Sequence, residues 1–492
     1  MEVARIDSAN RKFVWRAWCV LQPFLLVLCG CASDPRLDRQ PLSELPETMG
    51  VDGKLIRWEQ RQAWFSFFRN EELKALARKA LRGNPSLAAA RERLEQARAR
   101  ADQAGSAFWP TVEASIEASR QKAPLRAGVS NAGQGIEEID TYRASLAASY
   151  EVDLWSRLSS QEQAARLAEE SAAESARAVS MTLVANVTEA WLDVKLARQR
   201  IALLKQQLAL SKDQLALAEK RLSNGMGSAL NVSLQDQQVA AVQERLERAE
   251  AQGVAALAQL SILVGEPPQK NAVTVEDAAF PSLPSVPEAG LPSEFVYRRP
   301  DLAAALAGFQ AEERRLASAL AERFPALRLR GSLFGESMEW EDLFDDLFWR
   351  VAASLSEEIF DGGRERASVA LQRSVARERY ADFHSALLSA FGEVATTAAQ
   401  YEAQLAALQW VERQVESAQE AARLAEIAFS GGEVPYIQVL DTERTLHQAQ
   451  LGLLTAKRQL LALHVQLCRA LGGAWPESMD PLESDREEGG NA

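Results

Sequence analysis

The sequence carries itself twice, and this duplication restricts the possible folds more than any other feature. Asn84-Pro85-Ser86-Leu87-Ala88-Ala89-Ala90 recurs as Arg299-Pro300-Asp301-Leu302-Ala303-Ala304-Ala305, and Phe108-Trp109-Pro110 recurs as Arg323-Phe324-Pro325, both at an offset of 215 residues. Further on the offset is 207, pairing Arg157 with Arg364, Gly225 with Gly432, Val232 with Val439 and Gly265 with Gly472. Such a repeat predicts two similar structural units, here 64–285 and 286–476. The offset changes between Pro110 and Arg157, so the first unit holds a longer connection, placed at 120–140 around Pro124, Gly128, Gly133 and Gly135.

Around that connection apolar residues alternate with polar ones. Val112, Ala114, Ile116 and Ala118 alternate with Thr111, Glu113, Ser115 and Glu117, and Tyr142, Ala144, Leu146, Ala148, Tyr150 and Val152 alternate with Arg143, Ser145, Ser149, Glu151 and Asp153. The second unit repeats the pattern with Leu327, Leu329, Gly331 and Leu333, then Trp349, Val351, Ala353 and Leu355. A period of two predicts strands with one apolar and one polar face, at about 110–119, 141–153, 325–334 and 348–357. Each is long enough for a tilted membrane-spanning strand, and Trp109, Tyr142, Tyr150, Phe324 and Trp349 suit an interfacial girdle. Four strands cannot close a barrel, and an open edge cannot sit in lipid, so several copies must complete one; three copies give twelve strands.

Elsewhere the period is seven. Val187, Val194, Ile201, Leu208, Leu215 and Leu222 are matched 207 residues later by Val394, Tyr401, Leu408, Val415, Ala422 and Phe429. The pattern predicts long helices in a left-handed coiled coil, resumed after each of two turns, Ser223–Gly227 and Ser430–Pro435. Each unit therefore contains an antiparallel helical hairpin. Gly253 interrupts the pattern in the returning helix of the first unit.

Composition agrees with long helices, being 47% hydrophobic but only 7% aromatic. A net charge of -13, with Arg interleaved among Glu, argues against a nucleic-acid partner. No nucleophile elbow, phosphate loop or metal-ligand spacing occurs, so no enzymatic activity, metal or cofactor is expected. Cys468 stands alone and reads as a small buried hydrophobe.

The N-terminus reads as a targeting segment. Arg5, Arg11, Lys12 and Arg16 precede the apolar run Phe24–Leu28, which ends in Leu28-Cys29-Gly30-Cys31. That ending resembles a bacterial lipobox, which implies removal of residues 1–30, acylation of Cys31 and anchoring in outer-membrane lipid. An extended segment, 31–63, then leads to the first repeat, and 477–492 forms a disordered acidic tail.

Several segments together resemble the TolC-type outer-membrane efflux family, in its lipoprotein branch. They are Leu73-Lys74-Ala75-Leu76 with Asn84-Pro85-Ser86-Leu87, Tyr150-Glu151-Val152-Asp153-Leu154-Trp155-Ser156-Arg157, Leu291-Pro292-Ser293 with Arg298-Arg299-Pro300-Asp301-Leu302, Ile359-Phe360-Asp361-Gly362-Gly363-Arg364, Val439-Leu440-Asp441-Thr442-Glu443-Arg444, and Ala470-Leu471-Gly472-Gly473-Ala474-Trp475. The resemblance implies a mainly α fold with a transmembrane β part: a homotrimer with a twelve-stranded β-barrel and an α-barrel of coiled-coil hairpins through the periplasm. It also implies passive efflux alongside a periplasmic adaptor and an inner-membrane transporter.

By the same resemblance the two turns form a tip that opens like an iris and meets the adaptor through Gly225, Gly227, Ser228, Gly431, Gly432 and Glu433. Asp441 corresponds to a gate carboxylate, with Arg444 its partner and Gln438 beside them. Two departures bear on detail. Phe429 stands where a Tyr is common, removing a hydroxyl that braces the closed tip, and Glu357-Glu358 stands where Pro is usual, altering the strand-to-helix kink. A periplasmic adaptor or a coiled-coil scaffold lipoprotein is the competing reading; an adaptor needs a lipoyl-like domain between its helices, where this sequence has paired strands.

Overall fold

The computed structural model describes residues 70–124, 136–268, 275, 279–282 and 298–473. Cys31, with the segments 1–63 and 477–492, lies outside the described residues. The described residues divide into two compact units, one drawn from 104–164 and 312–377, the other from 70–103, 165–311 and 378–473.

The first unit is built on one sheet of four antiparallel strands, β1 (Thr111–Pro124), β2 (Ile136–Val152), β3 (Ala326–Ser337) and β4 (Leu347–Ser356), in that order. Register keeps the faces separate. Leu146 faces Ala114 on one side and Leu333 on the other, and Leu333 in turn faces Trp349, so a single apolar face runs across all four strands. Trp349, Val351 and Ile116 on it are about 70% exposed or more. The opposite face carries Thr111, Ser115, Ser145 and Ser149, with the Ser115 and Ser145 hydroxyls 2.8 Å apart.

The first hairpin is longer than its sequence pattern. Much of the stretch 120–140, expected as loop, is strand, because Arg120 faces Asp140 at 2.6 Å and Lys122 faces Glu138 at 3.0 Å. Cross-strand charge pairs extend a ladder without any apolar alternation, so the hydrophobic pattern ends before the strands do.

Two long helices leave the sheet: α3 (Arg157–Ser223) after β2 and α6 (Arg364–Ser430) after β4. Neither contains an internal proline, and at 67 residues each extends about 100 Å. Their starts are fixed in the same way. The Asp153 carboxylate accepts from the N–H groups of Leu158 and Ser159 (3.0 and 2.9 Å), and the Asp361 carboxylate accepts from those of Gly363 and Glu365 (2.8 and 2.7 Å). These caps use the positive end of the helix dipole, and the two N–H groups hold the Asp361 carboxyl below its usual range.

Glu358, flagged in the sequence as a departure, pairs with Arg364, while Glu151 pairs with Arg157 at 2.5 Å. The two pairs are related by the 207-residue repeat, so Glu358 preserves an internal symmetry of the strand-to-helix junction. Glu357 is exposed beside it.

The second unit is helical. The helices α1 (Glu71–Gly83) and α2 (Pro85–Gly105) precede β1, and α5 (Pro300–Ala321) precedes β3. After each tip turn the chain returns as α4 (Ala229–Val264) or α7 (Tyr436–Ala470). One core joins Leu73, Leu87, Val187, Trp191, Leu260 and Cys468; a second joins Leu302, Leu387, Val394, Leu460 and Leu467. Cys468 is fully buried, which pushes its thiol up to about 12.

Gly253 acquires a reason here: a Cβ at this position would lie 3.3 Å from the Ile201 side chain and 3.7 Å from that of Ala197, so the glycine lets α4 approach α3. Arg299, at the repeat position of Asn84, is nearly buried and bonds Asp301 (2.7 Å), Glu393 (2.8 Å) and the Ala470 carbonyl (3.1 Å).

Gly265 ends α4 at φ +88°, with its missing Cβ only 2.1 Å from the Gly83 carbonyl oxygen. Gly265→Ala is therefore expected to cost more than about 2 kcal/mol, read as a lowered melting temperature of the helical signal. Gly225→Ala is the control. It shares the positive φ, but nothing lies within 4 Å of it, so only backbone strain is added.

Candidate functional site

The two hairpin turns are built alike. After α3, the Gly225 N–H donates to the Leu222 carbonyl (3.0 Å) and the Met226 N–H to that of Arg221 (2.8 Å). After α6, the Gly432 N–H donates to Phe429 (3.0 Å) and the Glu433 N–H to Ala428 (2.9 Å). This double bond pattern is the Schellman helix ending, which requires the left-handed backbone that Gly225 (φ +71°) and Gly432 (φ +78°) adopt. Gly227 fits for a second reason, since a Cβ there would press on the backbone of Leu222 at 3.0 Å. Ser228 then caps α4, its hydroxyl accepting from the Asn231 N–H at 3.3 Å, and Pro435 opens α7. Gly431 and Glu433 are exposed on the second turn.

Above the turns, all four helices meet through one chain of side chains. The Arg221 guanidinium of α3 lies 5.3 Å over the Phe429 ring of α6, and that ring packs at 5.1 Å on Tyr436 of α7. Tyr436 donates its hydroxyl to Gln235 Oε1 of α4 at 2.8 Å, and Gln235 Nε2 donates to the Ser211 carbonyl (2.9 Å) and Gln214 Oε1 (3.2 Å) of α3. Gln214 in turn donates to Glu443 of α7. Gln235 is fully buried, and burial pushes the Tyr436 phenol up to about 12. Burial also raises the Glu443 carboxyl, an effect the bond from Gln214 opposes.

The polar ties continue up the helices. Arg444 Nε donates to Gln238 Oε1 at 3.0 Å, Gln207 Nε2 to Gln450 Oε1 at 2.9 Å, and Arg458 forms a two-pronged pair with Asp193 at 2.8 and 3.0 Å.

Of the residues singled out in the sequence, Asp441 is exposed and stands 3.7 Å from Arg444, within one helix. Arg444 makes its shorter bond to Gln238, across helices. Gln438 is exposed in the first turn of α7. Phe429 carries no hydroxyl, and the Tyr436 ring packed on it donates its own hydroxyl to Gln235. Sequence reasoning did not pick out Gln235, Gln238, Gln214, Tyr436 or Glu443. For Gln235 and Gln238 the signal was glutamine at buried positions of a coiled-coil helix, where apolar residues are usual.

The family described as outer membrane efflux protein matches residues 76–266 and 291–473. The pyoverdine export outer membrane protein OpmQ of Pseudomonas aeruginosa is 35% identical over 433 residues, covering 86% of this chain and 88% of that protein. SilC of Salmonella typhimurium, described as a probable outer membrane lipoprotein, is 25% identical over 462 residues, covering 92% and 98%. Among solved structures, the outer-membrane channel OprN superposes with a TM-score of 0.81 at 26% identity, covering 90% of this chain and 100% of that one.

Proposed function

Because this chain belongs to the outer membrane efflux protein family, we propose that it is the outer-membrane channel of an efflux system, conducting solutes passively and catalysing no reaction. The observation that carries the reading is the single apolar face across four strands whose outer two, β1 and β4, have edges unpaired among the described residues. Lipid tolerates neither an unpaired edge nor a half-closed sheet. Three copies supply twelve strands and close the wall, with apolar faces toward lipid and the Ser, Thr, Glu and Arg faces toward water.

The two turns, with Gly225, Gly227, Ser228, Gly431, Gly432 and Glu433, are the surface for a periplasmic adaptor, which couples the channel to an inner-membrane transporter. Asp441, Arg444 and Gln438 form the gate, where a ring of carboxylates from several copies favours cations. Residues 1–30 direct export, and Cys31 carries the acyl anchor.

Purified protein reconstituted into planar bilayers is expected to give discrete conductance steps. Assembled protein that forms no pore overturns the channel reading. Cys31→Ala is expected to remove the acyl mass from the mature chain while leaving pore formation intact, which mass spectrometry and the same bilayer assay resolve.

A further inference from the structure

The two open edges of the sheet differ in charge. Within the sheet, the ion pairs among the described residues join residues that face each other directly: Arg120 with Asp140, Lys122 with Glu138, Arg143 with Glu336 at 3.8 Å, and Arg328 with Glu151 at 3.4 Å. The edges leave charges over. Glu113 and Glu117 on the polar face of β1, and Arg350 on the polar face of β4, have no ion pair among the described residues. Glu117 does face Arg143, but that guanidinium stacks 4.7 Å over Phe334 on its other side and pairs with Glu336. One edge is thus acidic and the other basic.

We infer that β4 of one copy pairs antiparallel with β1 of the next in a single register, in which Arg350 stands opposite Glu117. The inference rests on the closed barrel proposed above and adds the geometry of its seam.

In that register all ten residues of β4 find partners, from Ser356 opposite Thr111 to Leu347 opposite Arg120. The apolar face matches along the seam. Leu355 meets Val112, Ala353 meets Ala114, Val351 meets Ile116, and the large Trp349 meets the small Ala118. On the wet face Ser354 meets Glu113 and Ala352 meets Ser115.

Neighbouring registers fail for physical reasons. A slip of one residue turns apolar side chains against polar ones. A slip of two in one direction brings Glu357 opposite Val112 and leaves Arg350 opposite Ser119. In the other direction, β4 runs past the start of β1 onto Pro110, which has no N–H to donate. Placing Arg350 opposite Glu113 carries β4 further past that end. A charge pair in water adds little affinity, but it discriminates strongly between registers.

Engineered cysteines on the wet face test this in the full-length assembled protein, where the native Cys468 is buried. Ala352→Cys with Ser115→Cys should form a disulfide between copies on oxidation, seen as covalent dimers and trimers on a non-reducing gel. Ser354→Cys with Ser115→Cys, and Ser354→Cys with Thr111→Cys, report the registers two residues to either side and should cross-link at least about tenfold less, since diagonal Cβ atoms lie about 7–8 Å apart and a disulfide needs about 4 Å. In parallel, Arg350→Glu should lower the temperature at which the assembly dissociates, and adding Glu117→Arg should restore it.

A conducting assembly that cross-links in another register or in none, or that Glu113→Arg rescues in place of Glu117→Arg, overturns the inference. A protein that is monomeric and forms no pore overturns the closed barrel itself.

Discussion

The double variant Gln235→Leu/Tyr436→Phe is expected to raise single-channel conductance, or the fraction of time spent open, by about tenfold or more. Gln235 ties α4 to α3 and to α7 by three hydrogen bonds, and among the described residues Tyr436 is the only one of its partners outside the first hairpin. A buried bond of this kind contributes about 1 kcal/mol net, and about 1.4 kcal/mol shifts a two-state population tenfold. Removing Gln235 and the Tyr436 hydroxyl together leaves neither of that pair unmet, while Gln214 Oε1 is only half-buried and can take a donor from water and the Ser211 carbonyl lies within its helix ladder, so stability should change little. The single change Gln235→Leu strands the Tyr436 hydroxyl and should both open the tip and destabilise it. Equal conductance in wild type and double variant, at equal stability, would show that these ties do not hold the tip.

Acidification from pH 7 to pH 4 is expected to destabilise the helical unit by about 2–3 kcal/mol for each of two histidines. His447 and His464 are buried on α7, and burial lowers both to about 4; Arg245 adds its charge at His447. In the unfolded chain the same groups titrate near 6.5. Between those values the unfolded state binds protons that the folded state refuses, so stability is complete above 6.5 and declines as pH falls toward 4. Asp301 acts lower. Its burial would raise the carboxyl, but the bonds and charge of Arg299 outweigh that and hold it below 3.8, so its contribution is lost only below this window. Thermal melts followed by circular dichroism should therefore show a steep loss between pH 6.5 and 4. His447→Gln/His464→Leu should flatten it, and an unchanged slope would exclude the histidines as its source.

Much of the fold was legible because its signals are local. The alternation at 112–118 and 142–152 and the seven-residue series beginning at Val187 and Val394 are periods that a strand or a coiled helix imposes on its own side chains. The glycines of the tip announced themselves in the same way, since a helix end in the left-handed region asks for glycine wherever it occurs. Asp441 and Arg444 were visible only through family resemblance, and Arg444's shorter bond, to Gln238, was not visible at all.

By itself, then, the sequence determined the repeat, the element types, their order and the places where the helices turn, because each follows from backbone geometry within a few residues. Only the tertiary structure decided which distant side chains meet: that Glu358 repeats the pairing of Glu151, that charge pairs lengthen the first hairpin past its apolar pattern, that Gly253 marks a close approach to Ile201, and that Tyr436 bonds the buried Gln235. These contacts depend on register between segments tens to hundreds of residues apart. No local period encodes that register; it is set by how the helices and strands pack.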